Sequence, residues 1–147
     1  MIWQSFVMLK QLILGALLIT MGIQSTSAAE LRIRISTNDG AATATLNDSQ
    51  ASQDFVAQLP VTIELSDYAA TEKIAYLPKK LSTKGAPSGH DPSVGEITYY
   101  APWGNLAIFY KDFGYSSGLV KLGDIDEGLS WLRKLGKTQV TIEQISP

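Results

Sequence analysis

Aromatic side chains crowd one short stretch of this 147-residue chain: Tyr99, Tyr100, Trp103, Phe109, Tyr110, Phe113 and Tyr115. Tyrosine and tryptophan offer an apolar face with a polar tip, so such a group can line a groove for an extended peptide or a small ligand. The same residues could instead fill a core and pack a turn. Strand alternation divides them, because successive side chains point to opposite faces. Ala107 and Phe109 share one face; Leu106, Ile108 and Tyr110 share the other. Only part of the set can therefore line one groove. The candidate ligand-binding residues are Tyr100, Trp103, Ala107, Phe109, Phe113 and Tyr115, with His90 from the preceding loop.

His90-Asp91 is the one place where a histidine stands beside a carboxylate. A Ser-His-Asp hydrolase needs the aspartate to reach round and orient the ring, and sequence neighbours in a Gly/Pro loop rarely hold that geometry. With one histidine and no cysteine there is no metal-ligand spacing. Asp124, Asp126 and Glu127 could suggest calcium, but the full calcium-loop pattern is missing and a turn followed by a helix cap explains them. Lys79, Lys80 and Lys84 read as a solvated face. No catalytic residue and no cofactor are expected.

The elements that must position these residues are short. Leu31, Ile33 and Ile35 alternate with polar neighbours, as do Ala42, Ala44 and Leu46, and Asp39-Gly40 between them signals a hairpin. Asn47 can cap a helix with Gln50 three residues on; Ala51, Phe55 and Leu59 share its face, and Pro60 ends it. Strands are expected over 61–65 and 73–77. Residues 79–94 hold Gly85, Pro87, Gly89 and Pro92 without apolar period, a loop long enough to be functional or mobile. Strands follow over 96–101, 106–111 and 119–122. Asp126 is expected to cap a second helix, with Glu127 in its first turn, Arg133 and Lys134 in its last, and Gly136 as a left-handed terminator. A last strand covers Val140 and Ile142. About eight short strands at even spacing point to a closed barrel.

Residues 12–23 form an apolar run preceded by Lys10 and followed by Ser25, Thr26, Ser27, Ala28 and Ala29. That is the pattern of a secretory signal peptide, cleaved after Ala28 or Ala29. The run is about 12 residues, whereas a membrane span needs roughly 20. The alternative, an uncleaved anchor reaching back to Ile2, would put Lys10 and Gln11 in hydrocarbon. The expected organisation is a signal peptide over 1–29 and one domain over 30–147, periplasmic or secreted, touching a membrane only through the leader. Without Lys10, 14 acidic side chains face one fewer than the chain's 12 basic ones, a net charge of about −3. No basic stripe is present, which argues against nucleic acid. Without cysteine, stability must come from the core.

Two stretches resemble cyclophilins. Gly104-Asn-Leu-Ala-Ile-Phe-Tyr110 is similar to the strand that follows an Asn-Gly turn and carries a Gln-Phe-Phe group. Leu119-Val-Lys-Leu-Gly-Asp-Ile-Asp-Glu-Gly128 is similar to the His-Val-Val-Phe-Gly segment that leads into the second helix. Residues 44–49, Asp54-Phe55, Leu59-Pro60, Glu72-Lys73-Ile74 and 99–110 resemble the smaller bacterial cyclophilin-like group. The resemblance implies a mainly β fold, a closed eight-stranded antiparallel barrel capped by two helices. It also implies a prolyl-isomerase groove, from which this chain departs. Cyclophilins place an arginine on the substrate's prolyl nitrogen, weakening the amide resonance that makes rotation slow. Here no arginine lies between Arg34 and Arg133. Ala107 takes the glutamine's place and Leu119 the histidine's; Phe109 alone survives. Lysine cannot copy a planar guanidinium. The expectation is a non-catalytic module for a peptide or small-molecule ligand; the alternative is a divergent peptidyl-prolyl cis-trans isomerase.

Overall fold

The computed structural model describes residues 22–25 and 27–147. Most of the apolar leader lies outside the described residues. Eight strands close into an antiparallel barrel in the order β1 (Leu31–Thr37), β10 (Thr138–Ile145), β3 (Val61–Tyr68), β4 (Glu72–Tyr76), β7 (Asn105–Phe109), β6 (Glu96–Tyr100), β9 (Leu119–Glu127) and β2 (Gly40–Leu46), which returns to β1. Two short strands, β5 (Gly89–His90) and β8 (Ser116–Ser117), pair outside the barrel. Helices α1 (Gln50–Val56) and α2 (Leu129–Lys134) supply Phe55 and Leu132 to the core.

The period of two places the core. Ile33, Ile35, Ala44, Leu65, Ile97, Leu106, Ile108, Leu122, Val140 and Ile142 fill the barrel interior with almost no exposure. Each such valine, leucine or isoleucine contributes roughly 1.5–3 kcal/mol over an exposed one. Residues of the opposite phase on neighbouring strands, Ile74, Ala107, Phe109 and Leu119, form a second, smaller apolar cluster with Tyr100 packed against it. This second cluster lies on the outer face of the β4-β7-β6-β9 wall and becomes the floor of the candidate site.

β9 is longer than its apolar residues suggest. Its first half pairs with β6 and its second half with β2, with a register shift in each pairing. The strand turns this corner at Gly123, where a Cβ would collide with the Thr45 carbonyl oxygen and crowd Leu46. That closeness corrects the expected start of the second helix. Asp126 and Glu127 are strand residues: the Asp126 carboxylate accepts from Thr45 Oγ1 at 2.7 Å, and Glu127 sits opposite Thr43. The helix starts from Gly128, whose φ of +89° favours glycine and which has no room for a Cβ beside Ala41 and Ala42. Gly136 is not left-handed; the helix ends at an extended Leu135. Arg133 and Lys134 do occupy the last turn.

The first helix also differs at its start. Ser49, not Asn47, is the cap, its side chain accepting from Ser52 N. Asn47 instead ties the helix to β9: its Oδ1 accepts from Ser49 and Ser52 hydroxyls at 2.6 Å, and its Nδ2 donates to Lys121 O at 2.9 Å. Gln50 makes no capping box, because its Nε2 donates to Asp54 at 2.8 Å. The long 79–94 segment is pinned at its base. Asp54 accepts from Ser82 N at 2.8 Å, Gln58 bonds both backbone polar groups of Lys79, and the Tyr99 hydroxyl accepts from Leu81 N.

Candidate functional site

The outer apolar cluster is roofed by aromatic rings from three segments. The turn between β6 and β7 raises Trp103 beside Tyr100, centroids 5.4 Å apart and planes at 75°. The end of β3 brings Tyr68 edge-on to the same tryptophan, also at 5.4 Å. The segment after β7 folds Phe113 back over Phe109 at 6.2 Å. Between these rings lies a cavity of about 190 Å³, lined also by Glu72, Asn105, Ser116 and Leu119. Phe109 is buried, whereas Trp103 and Phe113 are about half exposed, at 48% and 50%. The cavity thus has a fixed floor and an accessible rim.

Besides Ser116, two polar side chains line this apolar space. Glu72, opposite Phe109 in the β4–β7 pairing, is raised above the ordinary glutamate value by burial. Asn105, the first residue of β7, is 1% exposed. Its Nδ2 donates to the Leu106 carbonyl at 2.9 Å, and its Oδ1 has no hydrogen-bond partner. Buried polar atoms are nearly always satisfied, so an orphaned acceptor on a cavity wall is informative.

Of the candidate residues, the fold brings Tyr100, Trp103, Phe109 and Phe113 together here. Ala107 lies in the cluster beneath and does not line the space. Tyr115 and His90 stand apart. Tyr115 is exposed, its hydroxyl 3.3 Å from Ser88 Oγ. His90 lies on a second cavity of about 400 Å³, walled by α1, residues 84–87 and β9; Leu119 lines both. The pairing His90-Asp91 is replaced by another: His90 Nε2 is 2.6 Å from Glu96 Oε2. Glu96 in turn meets Lys121 at 3.3 Å, and Lys121 meets Asp124 at 3.1 Å. Burial alone would push the Glu96 carboxyl up, but hydrogen bonds from His90, the Ser93 backbone and Lys121 outweigh it and hold it low. This chain of charges is internally matched. Asp126 is likewise taken, by Thr45 and by Arg32 at 3.9 Å.

Tyr68, Glu72 and Asn105 escaped the sequence reading. Tyr68 and Glu72 flank the β3–β4 hairpin, and only the pairing of β4 with β7 carries them to the aromatic turn. Asn105 carried a signal: an asparagine opening the otherwise apolar run Leu106-Ala-Ile-Phe109.

The sequence profile of the Cyclophilin-like family matches residues 35–143. The chain belongs to the Cyclophilin-like family. Its fold is similar to the solution structure of the hypothetical protein AF2241 from Archaeoglobus fulgidus, with a TM-score of 0.60 at 16% identity. The likeness covers 82% of this chain and 99% of that one. No curated protein matches the chain.

Proposed function

We propose that this chain is an exported, non-catalytic cyclophilin-like domain that binds a small ligand or a short peptide element in the aromatic cavity. The observation that carries the reading is the cavity itself. Five rings, three of them on the β6–β7 hairpin, surround one space that opens at the rim and ends on a buried floor. Such concave, mostly apolar sites with a few polar groups are the usual form of ligand pockets. The apolar leader with its small-residue exit supports export.

Isomerase chemistry finds little support at this place. Ala107 and Leu119 sit around Phe109 where the cyclophilin resemblance puts glutamine and histidine, and no arginine lines the cavity. Without a cationic planar donor there is nothing to weaken the prolyl amide's resonance. A protease-coupled assay on an Ala-Pro-Phe peptide tests this. The expected rate equals that of the uncatalysed reaction. Acceleration that survives dilution of contaminants and disappears in Phe109→Ala would overturn the non-catalytic reading.

A further inference from the structure

We infer that the ligand of the aromatic cavity is a small organic cation carrying a protonated amine. The inference rests on the binding reading above and specifies its occupant. Tyr68, Trp103 and Tyr100 meet as two edge-to-face pairs, so the three rings stand as walls at steep angles rather than as a stack. Ring faces carry negative potential and attract a cation within about 6 Å of their centroids.

The charge of the wall agrees. Glu72 is its one carboxylate, and among the described residues no lysine, arginine or histidine lines the space. Among the described residues Glu72 has no ion-pair partner, although seven such pairs occur elsewhere. A carboxylate drawn into an apolar site without a counter-ion is unfavourable, and a bound cation removes that penalty.

The third observation is Asn105. The Leu106 carbonyl takes the Nδ2 donor and so fixes which carboxamide atom is left over; Oδ1 stays buried without a donor. Oδ1 is closed off from solvent, so an ammonium N–H reaches it when the cavity wall yields, and then supplies the donor and the positive charge together. A neutral alcohol would satisfy Asn105 and leave Glu72 uncompensated. An anion would meet both the carboxylate and the ring faces. The volume of about 190 Å³ equals roughly six water molecules of liquid. It suits a short alkylammonium group.

The test compares two probes of similar shape on the protein expressed from the full sequence: protonated 2-dimethylaminoethanol and neutral 3-methylbutan-1-ol. Calorimetry gives affinities, and chemical-shift changes locate each probe. The amine should bind about tenfold or more tightly than the alcohol. Glu72→Gln should erase most of that difference by weakening the amine. Should that variant fold poorly, lowering the pH until Glu72 is protonated in the native protein removes the same charge. Equal affinity of the two probes, or a difference that survives loss of the Glu72 charge, overturns the amine inference while leaving a general binding cavity. Failure of both probes to move any lining resonance overturns the cavity reading itself.

Discussion

The rings of Tyr68 and Trp103 meet edge to face, 5.4 Å between centroids and 86° between planes. Nothing local joins them. Tyr68 ends β3 and Trp103 sits in the turn between β6 and β7, so the contact exists only because β4 bridges the two hairpins across the barrel wall. Trp103 is half exposed and belongs to neither apolar core cluster. Trp103→Ala should therefore abolish amine binding and change stability by only about 1 kcal/mol or less. Melting curves beside binding isotherms check this; loss of fold with loss of binding would contradict it.

Glu72 couples stability and binding with opposite signs. Burial raises its pKa in the folded chain, so the charged form is disfavoured there. Its contribution to stability is greatest below the ordinary glutamate pKa and is lost as pH rises through the raised value. Glu72→Gln should raise the melting temperature at neutral pH while weakening the bound cation. A lower melting temperature would show that Glu72 has a stabilising partner.

Lys73 is fully buried, its Nζ 2.8 Å from Asp67 Oδ1 and donating also to the Leu135 carbonyl beyond α2. Asp67 is about half exposed and also accepts from the Tyr110 hydroxyl at 2.8 Å. The asymmetry of burial orders the two substitutions. Lys73→Met removes the buried charge and leaves a carboxylate that water can reach, a loss of about 1 kcal/mol. Asp67→Asn strands an ammonium inside the protein, a loss of roughly 2–3 kcal/mol. Denaturant midpoints give the order, and the reverse order would contradict the account. Tyr110, pushed up to about 12 by burial and by Asp67, should stay un-ionised in an alkaline absorbance titration carried past the ordinary tyrosine value of about 10.

Acid should act through two other carboxylates. Asp67 is held low by the Lys73 hydrogen bond, which outweighs its burial. Glu96 is held low because its partners outweigh a larger burial effect. A lowered folded pKa gives stability that is fully present above the unfolded value and lost as pH falls through the folded one. Unfolding free energy should therefore decline from about pH 4.5 downward. In Glu96→Gln that decline should be shallower; an unchanged slope would remove the His90–Glu96–Lys121 chain from the explanation.

Gly123 marks the corner of β9. Gly123→Ala drives a Cβ into the backbone of Thr45 and Leu46 and should cost about 2–4 kcal/mol. Circular dichroism melting decides it, and a near-neutral result would mean that the β2–β9 pairing is looser than described.

The barrel was legible because alternation survives in every long strand: Ile33 and Ile35, Ile63 and Leu65, Val140 and Ile142 all point inward as their period requires. Helix ends were read less well. Asp126 has the chemistry of a cap, but its carboxylate is engaged sideways by Thr45 and Arg32 across the barrel, and sequence spacing carries no cross-strand information. The same reason governs the site. Tyr100, Trp103 and Phe109 were visible because one hairpin holds them. Tyr68 and Glu72 were not, because pairing of distant strands delivers them. His90 was visible as a titratable residue, but its partner is Glu96, fixed by the β5–β8 pairing rather than by adjacency to Asp91.

The indole N–H resonances of Trp103 and Trp131, followed while 2-dimethylaminoethanol is added, report directly on amine binding in the aromatic cavity. Trp131 packs over Gly40, away from the cavity-lining residues, and serves as an internal control. A saturable shift of Trp103 and of the Asn105 side-chain amide is expected, with Trp131 unmoved. A silent Trp103 at saturating probe, or equal drift of both tryptophans, would contradict it.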